Sequence, residues 1–343
     1  MEEQRSHSAN LEPLKERLRQ FFGVEPFMVE PLEGGTNNLL QKITMADGKK
    51  YILKCYFQDG RRRLEREYDL LTVLREKRLE NIPTPIARFD DLYAALYTFI
   101  EGKSLTSFEF SHHELASVAA YLNRLQSIKP DEVKTPLEKG FTSAFSLKEI
   151  IDLIFGRMSS FQGDVVAGLD PRIIAFTRET QVLSRVERAM EVCKETFSVR
   201  LNHQLPVEDR RLSSVDCGPH NMLWRADGSL VVLDFEYGGW DHPLRVIGDM
   251  LAGDKMRGLT EAQKAYFIEQ YLAGSSLSQA VLVDLGAFLA FSDIEWIMIY
   301  MTSLLPAKLA RLQHAKGPSY DMDAYLSQQM EKIREKLDRL GPA

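Results

Sequence analysis

Residues 214–236 read Ser-Val-Asp-Cys-Gly-Pro-His-Asn-Met-Leu-Trp-Arg-Ala-Asp-Gly-Ser-Leu-Val-Val-Leu-Asp-Phe-Glu, and they decide how the rest of the chain is interpreted. The dipeptide Asp227-Gly228 between two apolar runs predicts a two-residue hairpin turn. With that turn Asn221 lies opposite Asp234, and opposed residues are about 4.5–5.5 Å apart at Cα. An amide oxygen and a carboxylate at this separation suit Mg²⁺, which prefers oxygen ligands. The stretch therefore predicts a hairpin that carries a magnesium site.

Asp216 lies five residues before Asn221, in a Cys-Gly-Pro loop that is too irregular for a helix or a strand. An Asp, an Asn five residues later and an Asp on the next strand is the order of the catalytic half of a kinase. There the first Asp accepts the proton of the attacking hydroxyl, and the other two residues hold Mg²⁺ on the nucleotide phosphates. The alternative interpretation is a polar loop beside an ordinary hairpin with solvated carboxylates. The other kinase-like elements of the chain argue against it.

The segment resembles the aminoglycoside phosphotransferase / choline kinase-like family, whose motif reads His-x-Asp-x-x-x-x-Asn and then Ile-Asp-Phe/Trp-Glu. The resemblance implies that Asp216 is the catalytic base and that Asn221 and Asp234 are the Mg²⁺ ligands. Ser214 stands where the family usually has His. That His mainly supports the loop, so the departure removes no chemical group. The resemblance also implies that Asp249, in the following helix, is structural and bonds the catalytic loop.

Three strands are predicted near the N-terminus, at about 27–32, 39–45 and 51–57. The first turn contains two glycines, which let the backbone approach closely so that its N–H groups can meet phosphate oxygens. The amino-acid sequence of this turn resembles that of the nucleotide loop of the family. The residues that the resemblance assigns to nucleotide binding are Gly34, Gly35, Thr36 and Asn37.

Lys54 lies on the third predicted strand, and its neighbours on the same face are largely apolar. A kinase lysine at such a position pairs with the nucleotide phosphates and with a glutamate on a helix. Residues 61–77 form the next predicted helix, on which Glu67 falls within the apolar stripe and Glu65 falls outside it. Because a carboxylate on a packed face needs a partner, Glu67 is predicted to meet Lys54.

Two further strands, at about 86–90 and 93–100, end at Glu101-Gly102. This exit resembles the hinge of the family, which implies that the backbone at Phe99 and Ile100 binds adenine. From there onward the chain is mainly helical. The expected fold class is α+β: a bilobal, protein-kinase-like fold with a small antiparallel β-sheet lobe and one main helix in residues 1–102. Residues 103–343 would form a larger, mostly helical lobe with the catalytic loop and the substrate cleft.

Within this second lobe, helices are predicted at 145–161 and 171–197, as an insertion that helps to shape the cleft. Further helices are predicted at about 260–273, 277–305 and 321–340. The 277–305 helix carries aromatic and acidic residues that could line a substrate pocket or belong to the core, and core is the more usual role: Phe291, Asp293, Glu295, Trp296 and Tyr300.

Composition narrows the class of protein. With 343 residues, 44% hydrophobic and 27% charged, the chain fits an ordinary globular protein of two domains or one bilobal unit. The net charge of −6 gives no reason to expect a nucleic-acid partner. Three cysteines without paired spacing fit a reducing cytosol. The N-terminus lacks a signal-peptide core, and the apolar run 294–305 is too short to span a bilayer. A cytoplasmic protein without a membrane partner is expected, with the oligomeric state open.

These observations together predict a Mg²⁺- and ATP-dependent phosphotransferase that transfers the γ-phosphoryl group to a hydroxyl of a small molecule, such as an amino alcohol, a sugar or an aminoglycoside-like compound. GTP stays open as the donor. No Asp-Phe-Gly and Ala-Pro-Glu activation segment follows Asp234, which favours a small-molecule substrate over a protein.

Two alternatives remain open. Ser214 raises the first, a nucleotide-binding pseudokinase or scaffold of the same fold. The second is a metal-dependent hydrolase with Asp216, His220, Asp234 and His242 as its centre. His220 on a strand would point away from Asn221, which argues against a shared metal.

Overall fold

The N-terminal part of the chain is built on one antiparallel sheet. The computed structural model describes residues 12–23, 27–32, 38–162, 168–316 and 319–340. The strands are β1 (Phe27–Leu32), β2 (Leu39–Met45), β3 (Lys50–Cys55), β4 (Pro85–Phe89) and β5 (Ala94–Thr98). They are ordered β1-β2-β3-β5-β4, and each neighbouring pair is antiparallel. The turn between β2 and β3 uses Asp47-Gly48, with Gly48 at a φ of 82° that glycine adopts without strain.

Two helices cover the two faces of this sheet. Helix α1 (Glu12–Phe22) buries Leu14 and Leu18 against the face that includes Leu53. Helix α2 (Arg63–Glu76) packs on the other face, where most of its buried residues join the main core. Successive residues of a strand point to opposite faces, so Lys54 points toward α2 while Leu53 points toward α1.

The remainder of the chain is mostly helical. The helices are α3 (His112–Gln126), α4 (Leu147–Ser159), α5 (Pro171–Thr180), α6 (Val182–Thr196), α7 (Arg245–Ala252), α8 (Glu261–Gly274), α9 (Gln279–Leu282), α10 (Leu285–Ser303), α11 (Pro306–Lys316) and α12 (Met322–Arg339). Helix α10 lies at the centre and packs against α4, α6, α7 and α12. None of the helices in the described ranges has both the length and the apolarity that crossing a membrane requires. The predicted α+β, bilobal fold class is confirmed.

Two short strand pairs lie between α6 and α7. The strands are β6 (Arg211–Ser213), β7 (Met222–Trp224), β8 (Leu230–Val232) and β9 (Gly239–Asp241). β6 pairs with β9, and β7 pairs with β8. The residues singled out in the sequence lie in two loops, one between β6 and β7 and the other between β8 and β9.

The connection between the sheet and the helical part is hydrogen-bonded to β7. The N–H of Lys103 donates to the carbonyl of Trp224 at 2.8 Å, and the N–H of Trp224 donates to that of Lys103 at 2.9 Å. A Cβ on Gly102 would lie 2.9 Å from the Cβ of Leu223 and 3.1 Å from the Trp224 oxygen. Only glycine fits this approach, which explains the Glu101-Gly102 break in the sequence pattern. The lobe boundary at residue 102 itself stays a prediction.

The predicted two-residue turn of the β7–β8 hairpin is wrong. The turn has three residues: Arg225 N–H donates to the Ser229 carbonyl at 2.9 Å, and Gly228 takes a left-handed φ of 80°. Met222 therefore faces Val232, and Asn221 accepts a 2.8 Å hydrogen bond from Leu233, not from Asp234. An Asp-Gly pair suits both turn types, so the sequence did not distinguish the two registers.

Two predicted helices are interrupted, and the second is followed by a helix, α11, that lies outside the predicted range. Gln181, at a left-handed φ of 50°, separates α5 from α6 within the predicted 171–197 helix. The predicted 277–305 helix breaks before α10, where the carboxylate of Asp284 is held by Arg200 at 2.8 Å. Helix α11 begins at Pro306, and proline suits the first helical position because no intrahelical N–H bond is needed there.

Candidate active site

Lys54 lies at the centre of a cluster of carboxylates. Its Nζ is 2.6 Å from Glu67 Oε2, 2.8 Å from Asp234 Oδ1 and 3.8 Å from Glu236 Oε2. The predicted contact with Glu67 is present. Burial alone would lower the pKa of Lys54, but Asp234, Glu67 and Glu236 together raise it above its ordinary value. The ammonium therefore stays charged, and it is positioned at the end of the sheet that faces the β8–β9 loop.

Glu67 is held from several sides in the buried interior. Its Oε2 also accepts the hydroxyl of Tyr56 at 2.8 Å, and its Oε1 accepts the N–H of Phe235 at 3.2 Å. Burial raises the pKa of Glu67, Lys54 opposes that shift, and Asp234 adds to it. Helix α2 is thus fixed both to β3 and to the backbone that follows Asp234.

Glu236 fixes the segment after Asp234 to two other elements. It is 1% exposed, and its Oε1 contacts Nη1 of the fully buried Arg63 at the start of α2. Its Oε2 accepts the side-chain N–H of Asn38, at the beginning of β2. Nη2 of Arg63 also lies 2.8 Å from Asp59 Oδ2. The Asp-Phe-Glu segment is therefore tied to α2 and to the strand that leaves the predicted nucleotide loop.

The loop between β6 and β7 has a strained backbone next to Asp216. Val215 adopts a φ of 64°, which is a rare conformation for a β-branched residue. The Asn221 Nδ2 donates to the Asp216 carbonyl at 2.9 Å, and His220 Nε2 lies 3.3 Å from Asp216 Oδ2. Such strain is concentrated at functional sites in proteins, because the surrounding structure must maintain it. The loop fixes the backbone of Asp216 and leaves its side chain 38% exposed.

Ser214 is fully buried, and its Oγ has no hydrogen-bond partner within the described part of the chain. The serine therefore does not replace the support that the family's His gives to this loop. Backbone contacts carry the loop instead: Asp216 N–H donates to the Ser214 carbonyl at 2.8 Å, and Val215 N–H donates to Ser213 Oγ at 2.9 Å.

Asp234 also has a left-handed backbone, with a φ of 61°. It follows the end of β8 and, contrary to the predicted register, does not lie opposite Asn221. The two residues are still linked, because the Leu233 N–H donates to the Asn221 carbonyl. One carboxylate oxygen of Asp234 contacts Lys54, and the side chain is 36% exposed.

The donors around Asp234 fit a magnesium ion. The amide nitrogen of Asn221 is committed to the Asp216 carbonyl, so its Oδ1 is the atom left to coordinate. This atom and Asp234 Oδ2 are oxygens of the kind that Mg²⁺ prefers, although Asn221 is buried and only Asp234 is partly exposed. Oxygens of Glu67, Asp234 and Glu236 also lie within 4.8 Å of one another. Lys54 and Arg63 offset two of the three negative charges of that group.

The predicted nucleotide contacts are only partly described. Gly34, Gly35, Thr36 and Asn37 lie outside the described residues. The Phe99 N–H donates to the Lys50 carbonyl at 3.2 Å, so of its peptide groups only the carbonyl is available to adenine. Among the described residues the peptide group of Ile100 makes no hydrogen bond. The hinge therefore offers an acceptor at Phe99 and both peptide groups at Ile100.

A cavity of about 370 Å³ opens beside Asp216. Its lining comes from the loops before α2 and α4, the β6–β7 and β8–β9 loops, and helices α4, α7, α10 and α11 with the residue after α7: Arg61, Phe141, Thr142, Arg157, Val215, Asp216, Cys217, Gly218, Tyr237, Arg245, Asp249, Met250, Gly253, Glu295, Trp296, Ile299 and Lys308. This volume accommodates a small molecule. The cavity places such a molecule within reach of the Asp216 carboxylate.

The aromatic and acidic face of α10 divides between cavity and core. Trp296 and Glu295 line the cavity, whereas Phe291 is fully buried in the core and Tyr300 lines a different surface cleft. Asp293 pairs with Lys336 at 2.6 Å. Two of the five residues therefore line this cavity, and their role in substrate binding stays a prediction.

Within the described part of the chain, Asp249 makes no hydrogen bond to the 214–221 loop, although the resemblance implied a structural role through that loop. Its carboxylate accepts a 2.7 Å hydrogen bond from Arg245, one turn earlier on α7. Arg245 is 2% exposed and also contacts Glu295 Oε2 at 2.6 Å. Asp249 thus belongs to a buried ion-pair network in the cavity wall.

The residues of the hydrolase alternative do not form one centre. His242 is buried and stacks on Phe288 with ring centroids 4.1 Å apart, and its Nδ1 accepts the Leu244 N–H. Burial lowers the pKa of His242 to about 3, so it is a neutral core residue. His220 lies in a 3₁₀ turn, not on the strand that was predicted, and contacts Asp216.

Several important residues could not be identified from the sequence. Arg63 belongs to an arginine triplet at the start of a helix, where solvent exposure is the usual role, yet it is 0% exposed. Arg245 had no pattern to distinguish it. Glu236 was present in the Asp-Phe-Glu motif, but only its partners Arg63 and Asn38 show what it does.

The fold and this arrangement are those of a protein-kinase-like phosphotransferase. The sequence profile of the phosphotransferase enzyme family matches residues 29–282. The chain belongs to this family, as the resemblance predicted, and the expectation of a phosphotransferase is confirmed. No curated protein sequence matches the chain.

Solved structures share the fold over nearly the whole chain. A spectinomycin phosphotransferase crystallised with ADP and spectinomycin has a TM-score of 0.64 at 16% identity, covering 96% of this chain and 97% of its own. Choline kinase from Streptococcus pneumoniae has a TM-score of 0.61 at 16% identity, covering 97% and 100%. Ethanolamine kinase from Plasmodium vivax has a TM-score of 0.60 at 17% identity, covering 96% and 88%.

Proposed function

We propose that the protein transfers the γ-phosphoryl group of Mg²⁺-bound ATP to a hydroxyl of a small molecule held in the cavity beside Asp216. One observation carries the proposal. The side chain of Asn221 fixes the backbone of Asp216. The carbonyl of Asn221 fixes Leu233, the residue before Asp234, and Asp234 itself contacts Lys54. Hydrogen bonds thus connect the proposed base, the proposed metal ligands and the proposed phosphate-binding lysine.

Lys54 would bind the α- and β-phosphates, since its ammonium is charged and its orientation is fixed by Glu67. The turn at Gly34, Gly35, Thr36 and Asn37 would cover the phosphates. Phe99 and Ile100 would present backbone groups to adenine. ATP is the proposed donor, because the spectinomycin phosphotransferase of the same fold was crystallised with ADP.

Asp234 and Asn221 would hold Mg²⁺ through Oδ2 and Oδ1. When bound, the ion neutralises negative charge on the transferred phosphoryl group. Asp216 positions the acceptor hydroxyl and takes its proton on the carboxylate. The hydroxyl oxygen forms the new P–O bond, the bond between the γ-phosphorus and the bridging oxygen breaks, and ADP leaves with the electron pair.

The test begins with nucleotide binding. Thermal unfolding is followed with ATP, with and without Mg²⁺, on the wild type and on Asp234→Asn. Asp131→Asn is the matched control, because it makes the same change at an exposed aspartate that does not line the cleft at Phe99 and Ile100. Ligand binding to the folded state raises the free energy of unfolding by RT ln(1 + [L]/Kd), and the unfolding temperature rises with it. We expect a Mg²⁺-dependent rise in the wild type and in Asp131→Asn.

In Asp234→Asn the Mg²⁺-dependent part of this rise should disappear. No rise in the wild type with ATP well above millimolar concentration would contradict the proposed nucleotide site. A rise that is independent of Mg²⁺ would contradict the assignment of Asn221 and Asp234. Turnover is then measured as ADP release with spectinomycin, choline and ethanolamine as acceptors. Three solved structures of the same fold are named after these compounds.

A further inference from the structure

The cavity beside Asp216 carries more positive than negative groups. Its lining contains four cationic side chains, Arg61, Arg157, Arg245 and Lys308. It contains three carboxylates, Asp216, Asp249 and Glu295. Asp216 is reserved for the acceptor hydroxyl, so the rest of the wall has two more positive charges than negative ones. A cationic acceptor would require the opposite balance.

The two remaining carboxylates are already paired. Arg245 lies 2.7 Å from Asp249 and 2.6 Å from Glu295, and Glu295 is fully buried. These short contacts form the floor of the cavity. Neither acid is therefore available as the main partner of an incoming ammonium group.

Arg157 reaches the same floor but is poorly satisfied. Its Nη2 is 3.4 Å from Glu295 Oε1, at the long end of a hydrogen bond. Its Nε is buried and has no hydrogen-bond partner among the described residues. A buried donor of this kind usually has a partner, and a bound acceptor would supply one.

Arg61 is held rigidly on the opposite side. Its guanidinium lies 4.5 Å above the ring of Phe141 and 5.8 Å from that of Tyr237. Its carboxylate partner, Asp59 at 3.2 Å, is shared with the shorter contact of Arg63. Its Nη1 also donates to the Tyr237 hydroxyl at 3.2 Å. A guanidinium has five N–H donors, so others remain for an oxyanion.

Lys308 completes the cationic group at the exposed edge of the cavity. No carboxylate in the described ranges lies within 4.0 Å of its ammonium, the distance that defines an ion pair. Burial lowers the pKa of Lys308, and Arg61, Arg311 and Arg157 lower it further. Arginines are therefore the charged groups that act most strongly on this lysine, and a bound anion would relieve their repulsion.

We propose that the acceptor molecule carries an anionic group, a carboxylate or a phosphate, which Lys308, Arg61 and Arg157 bind while its hydroxyl meets Asp216. This inference rests on the proposed phosphotransferase function and specifies its substrate class. It separates this protein from a kinase of cationic acceptors, because the carboxylates of the described cavity lining, apart from Asp216, are already paired with Arg245.

Isothermal titration calorimetry with the Mg²⁺–AMP-PNP complex of the full chain tests the proposal. Gluconate and glycerol 3-phosphate are the anionic probes and distinguish a carboxylate from a phosphate. Glucitol and glycerol are their neutral counterparts, and choline and spectinomycin are the cationic probes. We expect at least one anion to bind tenfold or more tightly than its neutral counterpart and than both cations.

The variants are Lys308→Glu and the control Lys134→Glu, which makes the same change at an exposed lysine outside the cavity. Lys308 lies in the first turn of α11, where a glutamate favours the helix, so the variant should fold. Its new carboxylate would compete for the same arginines. Anion affinity should fall about tenfold or more in Lys308→Glu and stay unchanged in Lys134→Glu.

Tighter binding of a cation, equal loss of anion affinity in both variants, or no anion binding by protein that binds Mg²⁺–AMP-PNP would overturn the inference and leave the proposed function standing. Failure to bind Mg²⁺–AMP-PNP would instead contradict the proposed function. The anion titrations are therefore repeated without nucleotide, and the same criteria decide the inference there.

Discussion

Replacing Lys54 by methionine should destabilise the fold as well as abolish turnover. The substitution leaves three carboxylates without their shared cation. Glu236 keeps Arg63, and Asp234 is 36% exposed, so water compensates part of its charge. Glu67 is 3% exposed and keeps only the Tyr56 hydroxyl and the Phe235 N–H. Removing one partner of a buried pair costs about 3–5 kcal/mol. With one carboxylate fully stranded we expect the lower end, about 3 kcal/mol.

This deficit should depend on pH in a defined direction. Burial already raises the pKa of Glu67, and loss of Lys54 removes the group that opposes this shift. The folded variant then holds the proton of Glu67 more tightly than the unfolded chain does. Its stability therefore falls as the pH rises above about 4.5, the ordinary range of a glutamate. The deficit should be smaller at pH 5 than at pH 8.

Urea unfolding followed by tryptophan fluorescence measures both effects. Lys50→Met is the matched control: Lys50 lies on the same strand and pairs with Glu101, but both side chains are exposed. Such a surface pair contributes about 0–1 kcal/mol. The double variant Lys54→Met/Glu67→Gln should regain most of the stability and none of the turnover. A Lys54→Met protein as stable as Lys50→Met, or a deficit that grows on acidification, would refute this reasoning.

Three further predictions concern other elements of the site and its supports. Asp216→Asn should lower kcat about 10²–10⁴-fold while the affinity for Mg²⁺–ATP, measured by calorimetry, stays unchanged; a loss below tenfold would argue against a catalytic base. Burial raises the pKa of Asp241 from 3.8 to about 6, so its ionisation reduces stability as the pH rises through that window. The free energy of unfolding of Asp241→Asn, relative to that of the wild type, should therefore be up to about 3 kcal/mol higher at pH 8 than at pH 4. A difference in urea unfolding that does not depend on pH would contradict this assignment. Gly102→Ala should lower the free energy of unfolding by about 1–3 kcal/mol, because its methyl group would clash with Leu223, and an unchanged urea midpoint would show that β7 can move away.

Most of the fold could be predicted from the sequence, because the informative signals were local. The alternation along the first strands, the Asp-Gly turns and the stop at Glu101-Gly102 each report on the conformation of a few neighbouring residues. The errors occurred where two conformations share one signal. Asp227-Gly228 fits both a two-residue and a three-residue turn, and the choice shifts every pair in the hairpin by one residue.

The site was harder to predict because its partners are distant in sequence. The pairing of Lys54 with Glu67 could be predicted, since burial within an apolar stripe requires a partner. The contact between Arg63 and Glu236 spans 173 positions, and no periodicity connects the two residues. The four cations of the cavity likewise come from four separate segments, and only the packing of these segments shows that the charges of Arg61 and Lys308 act together.

The double attachment of α2 affects how such a molecule can be regulated. An outward movement of α2 would break the Arg63–Glu236 and Lys54–Glu67 ion pairs. Breaking a buried ion pair costs about 3–5 kcal/mol. The outward form would then hold well under about one molecule in a hundred. An enzyme whose α2 is held in this way would need no separate step that moves this helix into position before it can act.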